Sequence, residues 1–355
     1  MSKNIIPNSI FEYYKSKSSF ILNQLTLTRF ILFLIILFLP TILFSLDAII
    51  KFFSDRNIYI DLPSGDYILY ICVQVCVYIL LAIGLNIVCG FTGLLDLGYV
   101  AFYLVGGYTA GLLMTNHGFN YFLVLPLAIL NGGLWGLIRG APTLRLTGDY
   151  FAIVTFGFAE LLFRAVKNEI WLIQDINGFV KDIPSVNIPY TKIVLYQNWH
   201  HYYHILILIG IVIFITYRLK NSRVGRAWIA IREDEQAAAC MGINVSRYKS
   251  LAFAISAAIG GLGGAFLAPF WGIISAKAFE FWESILILCM VILGGKGSIR
   301  GAIIGAVFLG SLSEILREIL LRVPQFSSAR ILIFGVILVL LMRFRPDGLI
   351  YKKSV

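Results

Sequence analysis

Long apolar runs recur along almost the whole of this chain, and they constrain its fold more than any other feature. Runs of about 17 to 25 residues match the length a helix needs to cross a hydrocarbon core. Ten such crossings account for the hydropathy, at roughly 30–46, 67–89, 94–114, 121–138, 150–166, 202–219, 251–275, 279–293, 299–321 and 329–343. The 279–293 run is short enough to be a partial helix. A transmembrane β-barrel would show short alternating segments, whereas these runs are continuous. With 59% hydrophobic and 14% charged residues, the expected class is all-α and polytopic, with about ten transmembrane helices.

Charge orients the layout. The net charge of +10 would suggest nucleic acid in a soluble protein, but here its distribution decides. Cytoplasmic loops of membrane proteins are enriched in Lys and Arg. With the N-terminus inside, the inner segments hold Lys3, Lys15, Lys17 and Arg29, then Arg139 and Arg145. The largest group follows, from Arg218 and Lys220 through Arg223, Arg226 and Arg232 to Arg247 and Lys249. Lys296 and Arg300, and finally Arg343, Arg345, Lys352 and Lys353, complete 19 of the 29 basic residues. Both termini are therefore expected in the cytoplasm. The basic start has no apolar core until Arg29 and no cleavage site, so it reads as a retained arm. The expected division is an N-terminal arm over 1–29, a membrane domain over 30–346 and a tail over 347–355. An external loop covers 167–201 and a polar inner segment covers 220–250. The membrane lipid is the first expected partner, and no nucleic acid is.

Several motifs resolve into structural features. Cys72, Cys76, Cys89, Cys240 and Cys289 lack CxxC spacing and read mostly as small buried hydrophobes. Gly294-Gly295-Lys296-Gly297-Ser298 superficially resembles a phosphate loop, but Gly297 separates Lys from Ser and the flanks are membrane helices. It reads as a tight inner turn. His200, His201 and His204 form HHxxH without the glutamate of a zincin, among Trp199, Tyr202 and Tyr203, and read as an interfacial anchor. No metal site is expected. Gly107–Gly111, Gly132–Gly136, Gly260–Gly264 and Gly301–Gly305 have the spacing that lets helix backbones approach closely. Gly84, Gly90, Gly93 and Gly98, with Gly294, Gly295 and Gly297, interrupt two apolar segments, as irregular backbone lining a pathway does.

Ionisable residues within crossings often mark function. Glu160 and Arg164, and Glu314 with Arg317 and Glu318, are spaced for local ion pairs or helix-end snorkelling. Asp96 follows the glycine break, where a bent helix start can offer backbone N–H groups to its carboxylate. It is expected as a clamp at the inner mouth, with a proton relay as the alternative. No GxSxG, HExxH or paired intramembrane Asp supports an enzyme, and no catalytic residue is expected. A channel or ion-coupled carrier remains the rival of an ATP-driven system.

The polar segment Asn221–Leu251 is amphipathic. Ala227, Ile231, Ala238, Met241 and Gly242 can line one face, and Arg232, Glu233, Asp234 and Glu235 form a dense charge cluster. A lipid-facing helix would carry Leu or Phe where Gln236 to Gly242 has small residues. Small residues suit docking into a protein cleft.

That segment resembles the Glu-Ala-Ala-xxx-Gly coupling loop of ABC importer permeases, with Gln236 at the Glu position and Ala237, Ala238 and Gly242 matching. Residues 84–113, 144–161, 222–257, 291–306 and 344–350 resemble the LivM-type permease of branched-chain amino-acid ABC transporters. The first 65 residues lie outside the resemblance. Asn177-Gly178 matches the family, whereas Gln174-Asp175-Ile176 departs from it. The resemblance implies an ABC importer permease fold in the bacterial inner membrane, carrying leucine, isoleucine and valine. Urea, amides or other amino acids are alternatives on the same scaffold. It implies a LivH-type permease partner, two cytoplasmic ATP-binding subunits that hold ATP and Mg, and an extracytoplasmic amino-acid-binding protein. This chain itself would hold no cofactor. A coupling helix near 227–242 would dock on an ATP-binding subunit through Arg232, Glu233, Glu235, Ala237, Ala238 and Gly242. Gly90, Gly93, Asp96, Gly98, Thr155, Gly157, Gly294 and Gly295 are the expected lining of the pathway.

Overall fold

The computed structural model describes residues 36, 38–43, 64–143, 149–168, 178–187, 194–195, 197–321, 335–336, 339 and 343. The expected N-terminal arm, the C-terminal tail, Arg145 and most of the first and last crossings lie outside them, as do Gln174 to Asn177. Contacts divide the chain into residues 1–70 and 71–355. In the first unit, residues 38–43 and the start of the first long helix are helical. The second unit carries the features below.

The helices are α1 (Gly65–Asn86), α2 (Val100–His117), α3 (Tyr121–Thr143), α4 (Asp149–Asn168), α5 (Asn198–Lys220), α6 (Arg223–Glu233), α7 (Glu235–Cys240), α8 (Val245–Trp271), α9 (Phe281–Gly294) and α10 (Ile299–Leu321). A π-helical turn, Ile87–Phe91, continues α1. A two-residue antiparallel ladder pairs β1 (Val186–Asn187) with β2 (Val194–Leu195). Five described helical stretches are long and apolar enough to cross a membrane: Gly65–Phe91, Tyr121–Ala141, Asn198–Lys220, Val245–Trp271 and Ile299–Arg317. The protein is an all-α polytopic membrane protein. Helix α9 has 14 residues, about 21 Å at 1.5 Å per residue, too short for the ~30 Å core.

Helix α8 is the centre of the bundle and packs chiefly on α2 and α3. Glycine allows the approach. A Cβ on Gly264 would collide with the carbonyl of Tyr103, and one on Gly106 with that of Gly261. On the other side, a Cβ on Gly132 would lie 2.8 Å from the Ala257 carbonyl and one on Gly136 2.8 Å from that of Phe253. Without hydrophobic drive between helices in lipid, such backbone contact supplies the packing. Gly107 shares this backbone contact, since a Cβ on Gly264 would also collide with its N–H, while Gly111 faces the side chains of Val180 and Ile183. Gly106 adds a close approach that the spacing did not single out. The other faces of α3 and α5 expose Leu130, Leu134, Ile207 and Phe214, as lipid-facing helices do.

Two sequence expectations need correction. The crossing expected at 94–114 begins only at Val100, because residues 92–99 form an irregular segment in which Thr92, Asp96, Gly98 and Tyr99 are buried. Arg139, counted among the inner-loop charges, lies inside α3 and is buried. Its physical reason is the partner described next.

Candidate functional site

Asp96 holds the irregular segment in place. Its carboxylate accepts from the Gly98 N–H at 2.8 Å and from both Nη atoms of Arg139, with Nη1 at 2.9 Å from Oδ1. Asp96 and Arg139 are both fully buried. The guanidinium lies between two rings, 4.3 Å from the centroid of Phe102 and 5.2 Å from that of Phe253. A planar guanidinium suits a bidentate carboxylate and stacks on aromatic faces. The expected backbone N–H partner of Asp96 is thus present, and the arginine is one that spacing did not suggest. Thr155 closes the segment from α4: its hydroxyl accepts from the Leu97 N–H at 3.3 Å, and its carbonyl lies where a Cβ on Gly98 would stand. Gly157, two residues on, has nothing within 4 Å of a built Cβ.

At the end of α1 the π-turn meets two other elements. A π-turn breaks the regular ladder and leaves carbonyls for outside donors. Arg232 Nη1 of α6 donates to the Gly90 carbonyl at 2.8 Å. The Gly297 N–H, in the turn between α9 and α10, donates to Asn86 Oδ1 at 2.9 Å, and Lys220 Nζ donates to the Gly297 carbonyl at 2.7 Å. Gly297 adopts φ +80°, and a Cβ there would stand 2.9 Å from Arg232 Nη1 and 3.0 Å from the Gly90 carbonyl. A Cβ on Gly93 would stand 3.0 Å from the Arg232 side chain. Gly294 packs against Gly301, and Gly295 opens the turn. Trp228, fully buried, stacks on Phe91 at 6.4 Å and donates to the Tyr248 carbonyl at 2.8 Å.

The polar segment folds as two short helices and a helix start, each capped by its own sequence. Ser222 accepts from the N–H groups of Val224 and Gly225, Asp234 from Gln236 and Ala237, and Asn244 from Arg247. Each such cap is worth about 1 kcal/mol. Helix α7 ends in a Schellman motif: the Ile243 N–H donates to the Ala238 carbonyl and that of Gly242 to Ala239, with Gly242 at φ +82°. The glycine of the Gln-Ala-Ala-xxx-Gly pattern is thus the left-handed residue that this stop requires.

The expected docking residues divide. Glu233, Ala237 and Gly242 are exposed. Ala238 is buried within its own chain. Glu235 pairs with Lys249 of α8 at 2.6 Å, and Lys249 is buried. The Arg232 guanidinium turns to the π-turn. Sequence reasoning missed Asn86, Arg139 and Trp228; the polar side chain and the charge within apolar runs were the available signals for the first two. Among the described residues no group of three His, Cys, Asp or Glu could hold a metal ion.

Comparison with known proteins now bears on this geometry. Residues 67–342 match the family described as the permease component of the branched-chain amino acid transport system. The chain belongs to this permease-component family. Among its relatives, the high-affinity branched-chain amino acid transport system permease protein LivM of Salmonella typhimurium is 35% identical over 301 residues. That match covers 79% of this chain and 69% of the relative. LivM of Escherichia coli is 35% identical over 295 residues, 77% of this chain and 68% of the relative. The permease protein LivH of Salmonella typhimurium is 27% identical over 304 residues, 78% of this chain and 92% of the relative. No solved structure matches. Like other members of the permease-component family, the chain is a transport subunit and not an enzyme. The irregular segment, the π-turn and α6 to α8 all fall within the family match.

Proposed function

We propose that this chain is the LivM-type permease of an ABC importer that carries leucine, isoleucine and valine across the bacterial inner membrane. The 35% identity to two LivM permeases over more than three quarters of the chain carries this reading. About ten crossings with both termini in the cytoplasm put α6 and α7 on the inner face. A LivH-type permease would complete the pathway, and an extracytoplasmic binding protein would deliver the amino acid. Two cytoplasmic subunits would hold ATP and Mg and hydrolyse the nucleotide.

In this reading α6 and α7 dock on an ATP-binding subunit through their outward residues Glu233, Gln236, Ala237 and Gly242. Small residues permit close approach, and the exposed charges set orientation. Movement of α6 then reaches the pathway through Arg232 and Trp228, because both are seated on the π-turn. Gly90, Gly93 and Gly98 would line or flank that pathway, with Asp96, Thr155, Gly157, Gly294 and Gly295. Reconstitution of the five-component complex in liposomes tests the proposal. The expected result is leucine uptake that requires ATP and the binding protein. Uptake by this chain alone, without nucleotide, would overturn it.

A further inference from the structure

The chain between α8 and α9 turns back into the bundle. Where α2 and α8 touch, Gly264 lies level with Gly107, and α8 then runs on from Gly264 to Trp271, a rise of about 10 Å. Yet a Cβ on Gly107 would also stand 3.2 Å from the Phe279 ring and 3.3 Å from Ile274. Phe279 packs edge-on against Tyr103 at 4.9 Å. By Phe279 the segment after α8 has therefore descended to the level of Gly264 again. Helix α2 continues from Gly107 to His117, about 15 Å higher, which is half of a ~30 Å hydrocarbon core.

Hydrogen bonds fix this descent. Ile274 and Val180 exchange backbone bonds at 2.9 Å, and the Ile183 N–H donates to the Gly272 carbonyl at 3.0 Å. The Ser275 hydroxyl accepts from the Lys277 N–H and caps the single 3-10 turn Ala276–Phe279. Just beyond, Phe281 meets Phe156 of α4 edge-on at 4.4 Å, and the next α4 residue, Gly157, borders open space.

Lys277 and Glu280 stand at the bottom of the descent, and both are exposed. Three residues make one turn of a 3-10 helix, so the two side chains leave the segment on the same side. Among the described residues neither is in an ion pair. Exposed charge at this depth cannot border hydrocarbon, and non-helical backbone there lies against protein or a water-filled passage. Two uncommitted opposite charges on one face match a zwitterion, whose ammonium meets Glu280 and whose carboxylate meets Lys277. A simple amine or a simple acid satisfies only one of them.

We propose that Lys277 and Glu280 form a binding station, half-way along the pathway, for the zwitterionic head group of the transported amino acid. The proposal rests on the import function argued above and adds to it a contact between the permease and its cargo.

Ala278→Cys places a reporter between the two charges and removes neither. The assembled complex in nanodiscs, which leave both faces open, is treated with a membrane-impermeant sulfonated methanethiosulfonate, and modification at position 278 is followed by peptide mass. The reporter is expected to react, and L-leucine is expected to slow the reaction. Lys277→Met or Glu280→Gln, added to the reporter, should raise the leucine concentration needed for protection about tenfold or more. 3-Methylbutylamine, which lacks the carboxylate, and 4-methylpentanoate, which lacks the ammonium, should protect poorly.

An inert reporter would mean that this face is sealed by a neighbouring subunit or by lipid, and would overturn the proposal. So would a reactive reporter that leucine does not protect, protection that survives both charge removals, or equal protection by the amine or the acid alone. Melting temperature identifies a charge variant that has merely lost its fold, and the other variant then decides. ATP-driven leucine uptake by the wild-type complex is read separately. Uptake without protection sinks this site alone, whereas absence of uptake sinks the import function.

Discussion

Arg232 of α6 donates to the carbonyl of Gly90 at 2.8 Å, which ties the polar segment to the irregular end of α1 by one charged hydrogen bond. Gly297 lies against the same guanidinium, so three elements share a contact no larger than one side chain.

Arg232→Gln should therefore uncouple the complex without dismantling it. A hydrogen bond to a charged group is worth about 1.5–3 kcal/mol, and leucine carried per ATP hydrolysed should fall roughly tenfold. Gly297→Ala should act on the same contact, so the double variant should be no worse than the poorer single one. Additive losses in paired uptake and ATPase assays would show that the two positions work independently.

Asp96→Asn should be among the most destabilising substitutions, since it leaves a buried arginine with half a partner. Breaking a buried pair costs about 3–5 kcal/mol, whereas replacing both members with apolar residues is often neutral. Thermal unfolding in detergent should rank Asp96→Asn well below Asp96→Leu/Arg139→Met. If the double variant still transports leucine, the carboxylate is a clamp; if it folds but is inert, the proton-relay alternative returns.

Gly242→Ala should fray the end of α7 by about 1 kcal/mol, through its left-handed backbone alone, because a Cβ there meets nothing within 4 Å. Gly242→Asn should recover part of this, since asparagine tolerates the conformation. Faster hydrogen exchange at Gly242 and Ile243 in the alanine variant is the expected signature. Ala238→Trp would disturb the segment's own packing as well as any docking, so Ala237→Trp is the cleaner test of the surface.

Gly264→Ala should reduce folded yield sharply, because its new methyl meets the Tyr103 carbonyl between two packed helices. Gly157→Ala, with open space around it, should be nearly silent. Comparable yields in a detergent-extraction assay would contradict the backbone contact.

Much of this architecture was legible in the sequence. The limits of α10 match its apolar run, and the short α9 follows its short run. Gly132, Gly136 and Gly264 announced close packing by spacing alone. The partner of Asp96 was not legible, because Arg139 is 43 positions away and no local rule joins them. Gly90 announced irregular backbone at the end of α1, but its form as a π-turn was not legible, because the donor that meets its carbonyl is Arg232 of α6. Ala238 looked outward by analogy with its neighbours, yet the tight stop at Gly242 and the joint at Asp234 turn it in.

The seating of Arg139 against Asp96 makes the burial of each depend on the arrival of the other. A charge alone in apolar surroundings is costly, so neither side chain settles before α3 and the segment ahead of α2 have met. The pair thus acts as an assembly check, since a bundle in which those two elements fail to meet would keep two uncompensated charges.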